Sequence, residues 1–146
     1  MSDIYSKSKR SDIMSKISGK ETTPEILVRK FLFYKGFRFR KNVNYLPGKP
    51  DIVLSKYKTI IFIHGCFWHG HFCKRGMLPE TNYEFWHEKI KKNIERDARN
   101  VSELKERGWN VIIVWECEIK NKGDRDIRLS KLIGEINSFS NAPPII

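Results

Sequence analysis

Ten consecutive residues, His64 to Cys73 (HGCFWHGHFC), hold three of the four histidines and two of the three cysteines. Such crowding has two readings. One is a buried cysteine pair with histidines satisfied inside a core. The other is a tetrahedral zinc site, with Cys66, His71 and Cys73 supplying three ligands from a glycine-containing loop. Cys117 is the candidate fourth ligand, because it follows the apolar run Trp109–Trp115. A Cys₃His set is closed and therefore structural, with no open position for chemistry. It requires the strands ending near His64 and Trp115 to be parallel neighbours, so that their C-terminal ends meet. It uses every cysteine and leaves His64 and His69 for other work.

Asp51 follows Pro50 and opens an apolar stretch thirteen residues before His64. A proline, an aspartate opening a strand and a second functional strand 10–20 residues on is the layout of PD-(D/E)xK nucleases. Here the customary acid is Phe62 and the customary lysine is His64. The fragment alone better suits a turn aspartate capping local backbone groups. If histidines replace the missing groups, the chemistry is phosphodiester hydrolysis. Asp51 and the main-chain carbonyl of Ile63 would hold Mg²⁺, a cation that takes hard oxygen ligands. His69 would be the general base, and His64 would orient a water or stabilise charge. Glu25 would hydrogen-bond one imidazole and fix its tautomer, or else complete a capping box with Thr22.

Phe67 and Trp68 sit in the same loop, and Trp86 opens a later helix near Lys89, Lys91 and Lys92. Each ring has an ordinary packing role open to it. Together, beside basic side chains, they would stack on or wedge between bases. Met14 and Ile17, at i, i+3 spacing in the basic N-terminal stretch, would form a second apolar wedge.

These residues need elements to carry them. A short helix is expected at Ser11–Ile17. A second begins at Thr22-Thr23-Pro24-Glu25 and runs to about Lys35, burying Leu27, Phe31 and Tyr34. Phe37–Arg40 alternates as a half-buried strand does; Asp51–Leu54 and Thr59–His64 read as two further strands. Trp86, Ile90, Ile94, Val101 and Leu104 describe one face of a long helix over about 82–107. Trp109–Trp115 is a central strand, and a last helix over about 126–138 buries Ile127, Leu132, Ile133 and Ile136. The expected fold is α/β, a mixed central sheet of about four strands flanked by helices. Residues 1–20 read as a mobile basic arm with its short helix, and residues 21–146 as a single domain.

The chain has 146 residues and 28 Lys+Arg against 17 Asp+Glu, a net charge of +11. Residues 1–108 carry that entire excess, whereas residues 109–146 hold five of each sign. With 40% hydrophobic residues it can fill a core, so the charge is not that of a disordered tail. The polar N-terminus shows no apolar signal region, and no apolar run is long enough for a bilayer. Three cysteines cannot all pair within one chain, which disfavours a disulfide scaffold. The expectation is a soluble intracellular protein with a polyanionic partner.

The whole constellation resembles the very short patch repair (Vsr-type) DNA mismatch endonucleases. The resemblance runs from about Arg10 to Cys117. It rests on Arg10-Ser11-x-x-Met14 with Thr22 and Glu25, then Leu46-Pro47-Gly48-Lys49-Pro50-Asp51, then Ile61–His69 (IFIHGCFWH). Phe85-Trp86, Lys92-Asn93-x-Glu95-Arg96-Asp97 and Val114-Trp115-Glu116-Cys117 complete it. It implies a restriction-endonuclease-like core with a structural zinc at Cys66, His71, Cys73 and Cys117. It also implies Mg²⁺-dependent nicking of one strand, 5′ to the thymine of a T:G mismatch left by 5-methylcytosine deamination. Asp51 would be the metal carboxylate, with His69, His64 and Glu25 at the scissile phosphate. Phe67, Trp68, Trp86, Met14, Ile17, Lys89 and Asn93 would meet DNA. Ile63 stands where some relatives have a hydroxyl residue; a role limited to its carbonyl tolerates that difference. A bacterial cytoplasmic monomer, nucleoid-associated when bound to duplex DNA, is expected, with no membrane partner. Contacts with other mismatch-repair proteins leave no readable signature. Two other functions fit the same residues: a non-catalytic zinc-stapled module reading distorted DNA, and a restriction-type nuclease cutting both strands.

Overall fold

The computed structural model describes residues 23–140, which divide after Arg38 into two compact units. The first contains helix α1, Thr23–Tyr34. Val28 and Leu32 are its fully buried apolar residues; Leu27, Phe31 and Tyr34, expected inside, are only partly covered. The buried stripe is thus displaced by one residue from the expected one. Glu25, in the first turn, pairs with Arg29 one turn later at 3.3 Å. Met14, Ile17, Thr22 and the expected N-terminal helix lie outside the described residues.

The second unit is a four-stranded sheet in the order β1 (Arg40–Lys41), β2 (Ile52–Leu54), β3 (Thr59–His64), β4 (Asn110–Trp115). The first three strands are antiparallel, and β3 and β4 are parallel. A parallel pair needs a long crossover. Helix α2, Tyr83–Glu106, lies within it, and helix α3, Lys122–Ser140, closes the described chain. The expected mixed α/β sheet is therefore present, and its parallel register sets His64 opposite Trp115.

Four local expectations are corrected. The strand expected at the centre over Trp109–Trp115 is β4, which pairs with β3 alone and ends the strand order among the described residues; helix packing rather than a second neighbouring strand accounts for its apolar run. The strand expected at Phe37–Arg40 shrinks to a two-residue pairing, because β2 is only three residues long and offers no ladder to Phe37 or Arg38. Along α2 the inward face runs Trp86, Ile90, Asn93, Asp97, Val101, Leu104, and Ile94 is left 45% exposed. In α3, Ile127 points out and the neighbouring Arg128 is buried.

Alternation divides the sheet's side chains between two faces. Ile60, Phe62 and Val53 on one face form a core with Leu104 of α2, joined by Val101, Val111 and Ile113. His64 and Trp115 continue that face to the strand ends. Ile52, Leu54, Ile61, Ile63, Ile112 and Val114, on the other face, are also buried.

Arg128 explains how the segment after β4 is held. Its guanidinium donates to Glu118 Oε1 at 3.4 Å, Glu135 Oε1 at 2.6 Å and the Ile113 carbonyl at 3.2 Å. A buried arginine is tolerated when its fork is satisfied in this way. The 3-10 turn Glu116–Ile119 is thereby clamped between β4 and α3. Arg128→Met should cost about 2–3 kcal/mol, since it strands a carbonyl and frees two partly exposed carboxylates. Urea unfolding checks this, with a lower midpoint and an unchanged slope expected.

Candidate active site and metal centre

Two groups of metal-ligating or titratable side chains form where β3 and β4 end. In the first, Cys66, His71, Cys73 and Cys117 bring one donor atom each to within 4.8 Å of one another. Cys117 Sγ lies 3.5 Å from His71 Nδ1. A tetrahedral zinc with Zn–S about 2.3 Å and Zn–N about 2.0 Å requires S···N edges of about 3.5 Å, so the donor set and spacing fit that ion. The parallel β3–β4 pairing makes this possible: Cys66 leaves one strand and Cys117 the other, at the same edge of the sheet.

The loop between them is bound by its own backbone. His71 N–H donates to the Cys66 carbonyl at 2.9 Å, and Gly76 N–H to the Cys73 carbonyl at 3.0 Å. Two glycines are required by space. Gly70, at φ +66°, presses against α2 where a Cβ would meet Ile90 and Ile94. A Cβ on Gly76 would run into the His71 carbonyl. Without metal the three thiols differ. Burial pushes Cys66 up and Cys117 up to about 12. Burial acts upward on Cys73 too, but hydrogen bonds led by that from His71 bring it down to about 7. Metal binding must therefore displace protons.

The second group is His64, His69 and Asp97. His69 Nδ1 lies 2.6 Å from Asp97 Oδ2, reached from the inward face of α2. The His64 and His69 rings stack face to face at 3.7 Å with 4° between their planes. Parallel facing rings carry their in-plane lone pairs side by side, so they do not converge on one ion. The arrangement suits proton transfer: Asp97 sets the His69 tautomer and leaves Nε2 for a substrate. His64 is buried, and its Nδ1 has no hydrogen-bond partner among the described residues. Burial first, then neighbouring His69, lowers its pKa to about 4, so it is neutral near pH 7.

Asp51 stands on the opposite flank of β3. Its Oδ2 accepts the Ile63 N–H at 2.7 Å. Continuing the β2–β3 register from the Ile52–Ile61 pair sets Ile63 opposite Pro50, which has no N–H to give the Ile63 carbonyl. A carboxylate and a main-chain oxygen without a ladder donor thus share one strand end. Successive residues of β3, Ile63 and His64, lead to Asp51 and to the histidine pair respectively.

An aromatic cluster adjoins the histidine pair. Phe67, Trp68 and Trp86 pack edge to face, with centroids 5.2, 5.3 and 5.7 Å apart. Trp68 remains 50% exposed. Asn93 Nδ2 donates to the Trp68 carbonyl at 2.9 Å, and exposed Lys89 lies between Trp86 and Asn93 on α2. The residue after Trp68 is His69.

Comparison with known proteins fits this arrangement. Residues 2–75 match the family model described as DNA mismatch endonuclease Vsr. A type II nicking enzyme, V.NmeAIP of Neisseria meningitidis serogroup A, is 60% identical over 136 residues, covering 93% of this chain and 97% of that protein. The chain belongs to the Vsr family of DNA mismatch endonucleases. DNA mismatch endonuclease Vsr of Escherichia coli K12 is 45% identical over 122 residues, 84% of this chain and 78% of its own length. V.XorIIP of Xanthomonas oryzae, also a type II nicking enzyme, is 41% identical over 133 residues, 91% and 98% respectively. This Vsr-family chain is accordingly a DNA endonuclease, a hydrolase of DNA repair. Among the described residues no helix is long and apolar enough to cross a membrane.

The sequence marks Asp97 only through its place in the resemblance, and Trp115 only through that and as the end of an apolar strand. The signal for Asp97 was present: a carboxylate eleven residues after Trp86 returns to the same helix face, among residues that must face the sheet.

Proposed function

We propose that this endonuclease nicks one strand of duplex DNA 5′ to the thymine of a T:G mismatch produced by 5-methylcytosine deamination, starting very short patch repair. It acts as a monomer on chromosomal DNA in the bacterial cytoplasm, with Mg²⁺ as catalytic ion and Zn²⁺ as structural ion. The observation that carries the reading is the loop itself: the half-exposed ring of Trp68 immediately precedes His69, which is bound to Asp97. Distorted DNA gripped by the rings would set its backbone beside the base.

Asp51 and the Ile63 carbonyl are the residues that would hold Mg²⁺, which supplies neutralisation of phosphate charge and eases loss of the water proton. The His69 imidazole, with its Nδ1 proton directed at Asp97, receives that proton at Nε2. Neutral His64 packs against it and adds no charge of its own to the ground state. Since Ile63 acts through its main chain, its aliphatic side chain is no obstacle. Cys66, His71, Cys73 and Cys117 hold Zn²⁺ as a staple between strand ends. Glu25, Met14 and Ile17 keep the roles that the family resemblance assigns them.

The direct test is Mg²⁺-dependent cleavage of a T:G duplex beside matched T:A and C:G duplexes. The expected product is a single nick in the thymine strand of the mismatched duplex alone. Binding without cleavage of any duplex would leave only a DNA-reading module; equal cutting of both strands in paired DNA would mean restriction. Asp97→Asn should lower the nicking rate by about 10²–10⁴-fold with DNA affinity retained, as expected when a histidine base loses its tautomer partner. Trp68→Ala should reduce the mismatch-over-matched affinity ratio about tenfold, in line with one lost base–aromatic stack. Titrations of both duplexes check this: binding to matched DNA should change less than binding to mismatched DNA.

A further inference from the structure

The metal centre and the histidine–aspartate pair are separate groups, but one side chain touches both. The Trp115 ring stacks on His71 with centroids 4.2 Å apart and 19° between planes. Its edge meets His64 at 5.2 Å and 74°. His64 in turn stacks on His69 at 3.7 Å. Four rings therefore run unbroken from a zinc-site residue to the residue bound by Asp97. The parallel register builds this series, since His64 and Trp115 are paired across β3 and β4 and share a face. The backbone fixes Trp115 as well: its N–H donates to Glu118 Oε1 at 2.7 Å, and the same carboxylate is held by Arg128.

We infer that Trp115 is a positioning residue for nicking, holding the His64–His69 stack in place against the ring of zinc-site residue His71. It touches neither DNA nor the reacting phosphate and acts through the imidazoles. The inference rests on the proposed roles of His69 and of the Cys₃His set. Its physical basis is that a base displaced by about 1 Å can lose about a hundredfold in rate, while aromatic faces restrict such displacement laterally. A wall of equal volume without a ring face would fill the space and leave the imidazoles less confined.

Trp115→Leu keeps an apolar side chain but removes the ring and part of its volume; Trp115→Phe is also smaller than the parent but keeps a ring face. Single-turnover nicking of the T:G duplex, DNA affinity and zinc content by elemental analysis are measured for both. The expected result for Trp115→Leu is a rate loss of about tenfold or more, with affinity and zinc content unchanged. Trp115→Phe should recover to within about threefold of the parent. A Trp115→Leu protein that keeps its zinc and nicks at the parent rate overturns the inference. So does a Trp115→Phe protein as slow as Trp115→Leu. A second measurement does not depend on variants folding: imidazole ¹H–¹⁵N spectra of the unaltered protein before and after zinc chelation. His64 and His69 resonances should shift, although neither belongs to the zinc set; unmoved resonances also overturn the inference. An unaltered protein that nicks no duplex would instead defeat the proposed function, and the spectra would still decide on the stack.

Discussion

Asp51→Ala should lower nicking by at least about 10³-fold, while affinity for mismatched DNA should stay within a few-fold of the parent or rise. The loss follows from the scarcity of oxygen donors at this strand end. PD-(D/E)xK enzymes place a second acid where this chain has Phe62, so Asp51 is the only carboxylate that the sequence supplies at the motif positions. Without it, a lone main-chain oxygen would have to hold Mg²⁺, a cation normally bound through one or two carboxylates and its own waters. Affinity need not fall, because removing an anion beside a phosphate lessens repulsion. Asp51→Asn separates charge from structure. Its amide oxygen can still accept the Ile63 N–H, so an Asn variant as inactive as the Ala variant assigns the loss to charge. A fully active Asp51→Ala protein would remove the mechanism proposed here.

The second large effect is on stability. Withdrawing zinc, or making Cys117→Ser, should leave the protein metal-free and lower its thermal midpoint by about 10 °C or more. Structural zinc contributes about 10–16 kcal/mol where it organises a whole small domain. Here a sheet and two helices supply a core of their own, so a loss of about 4 kcal/mol is the scale expected for a chain of this size. Cys117 is the informative position, because it reaches the Cys/His cluster from beyond the far strand, 44 residues after Cys73. Elemental analysis and calorimetry with and without chelator provide the check. Protein that contains no zinc when purified from zinc-supplied cells would defeat the Cys₃His assignment.

The two parallel strands were legible from their continuous apolar runs, Ile60–Ile63 and Val111–Trp115, but the run alone did not tell buried β3 from β4 at the end of the sheet. Cys117 was legible from an odd thiol together with that parallel pairing. The inward face of α2 was misread because hydrophobicity favours Ile94 over Asn93 and Asp97. Helix phase decided otherwise: Trp86, Ile90 and Leu104 set the stripe, and one exposed isoleucine is a modest cost. Arg128 was hidden for the converse reason. A charged side chain reads as solvent-facing until the three acceptors that satisfy it are known, and those come from β4, the following turn and the next helical turns. Trp115 could not be assigned from spacing, since its role depends on ring contacts with His64 and His71, which the chain brings from another strand and loop.

Helix α2 carries Trp86 and Asp97 on one line, eleven residues apart, or three turns. A single residue inserted or deleted between them would turn one about 100° away from the other and aim it at solvent. This stretch of the family should therefore tolerate substitution far better than a change in length. Insertions should be confined to its surface loops, where no rotation is passed from the aromatic cluster at Trp86 to the His69 partner Asp97.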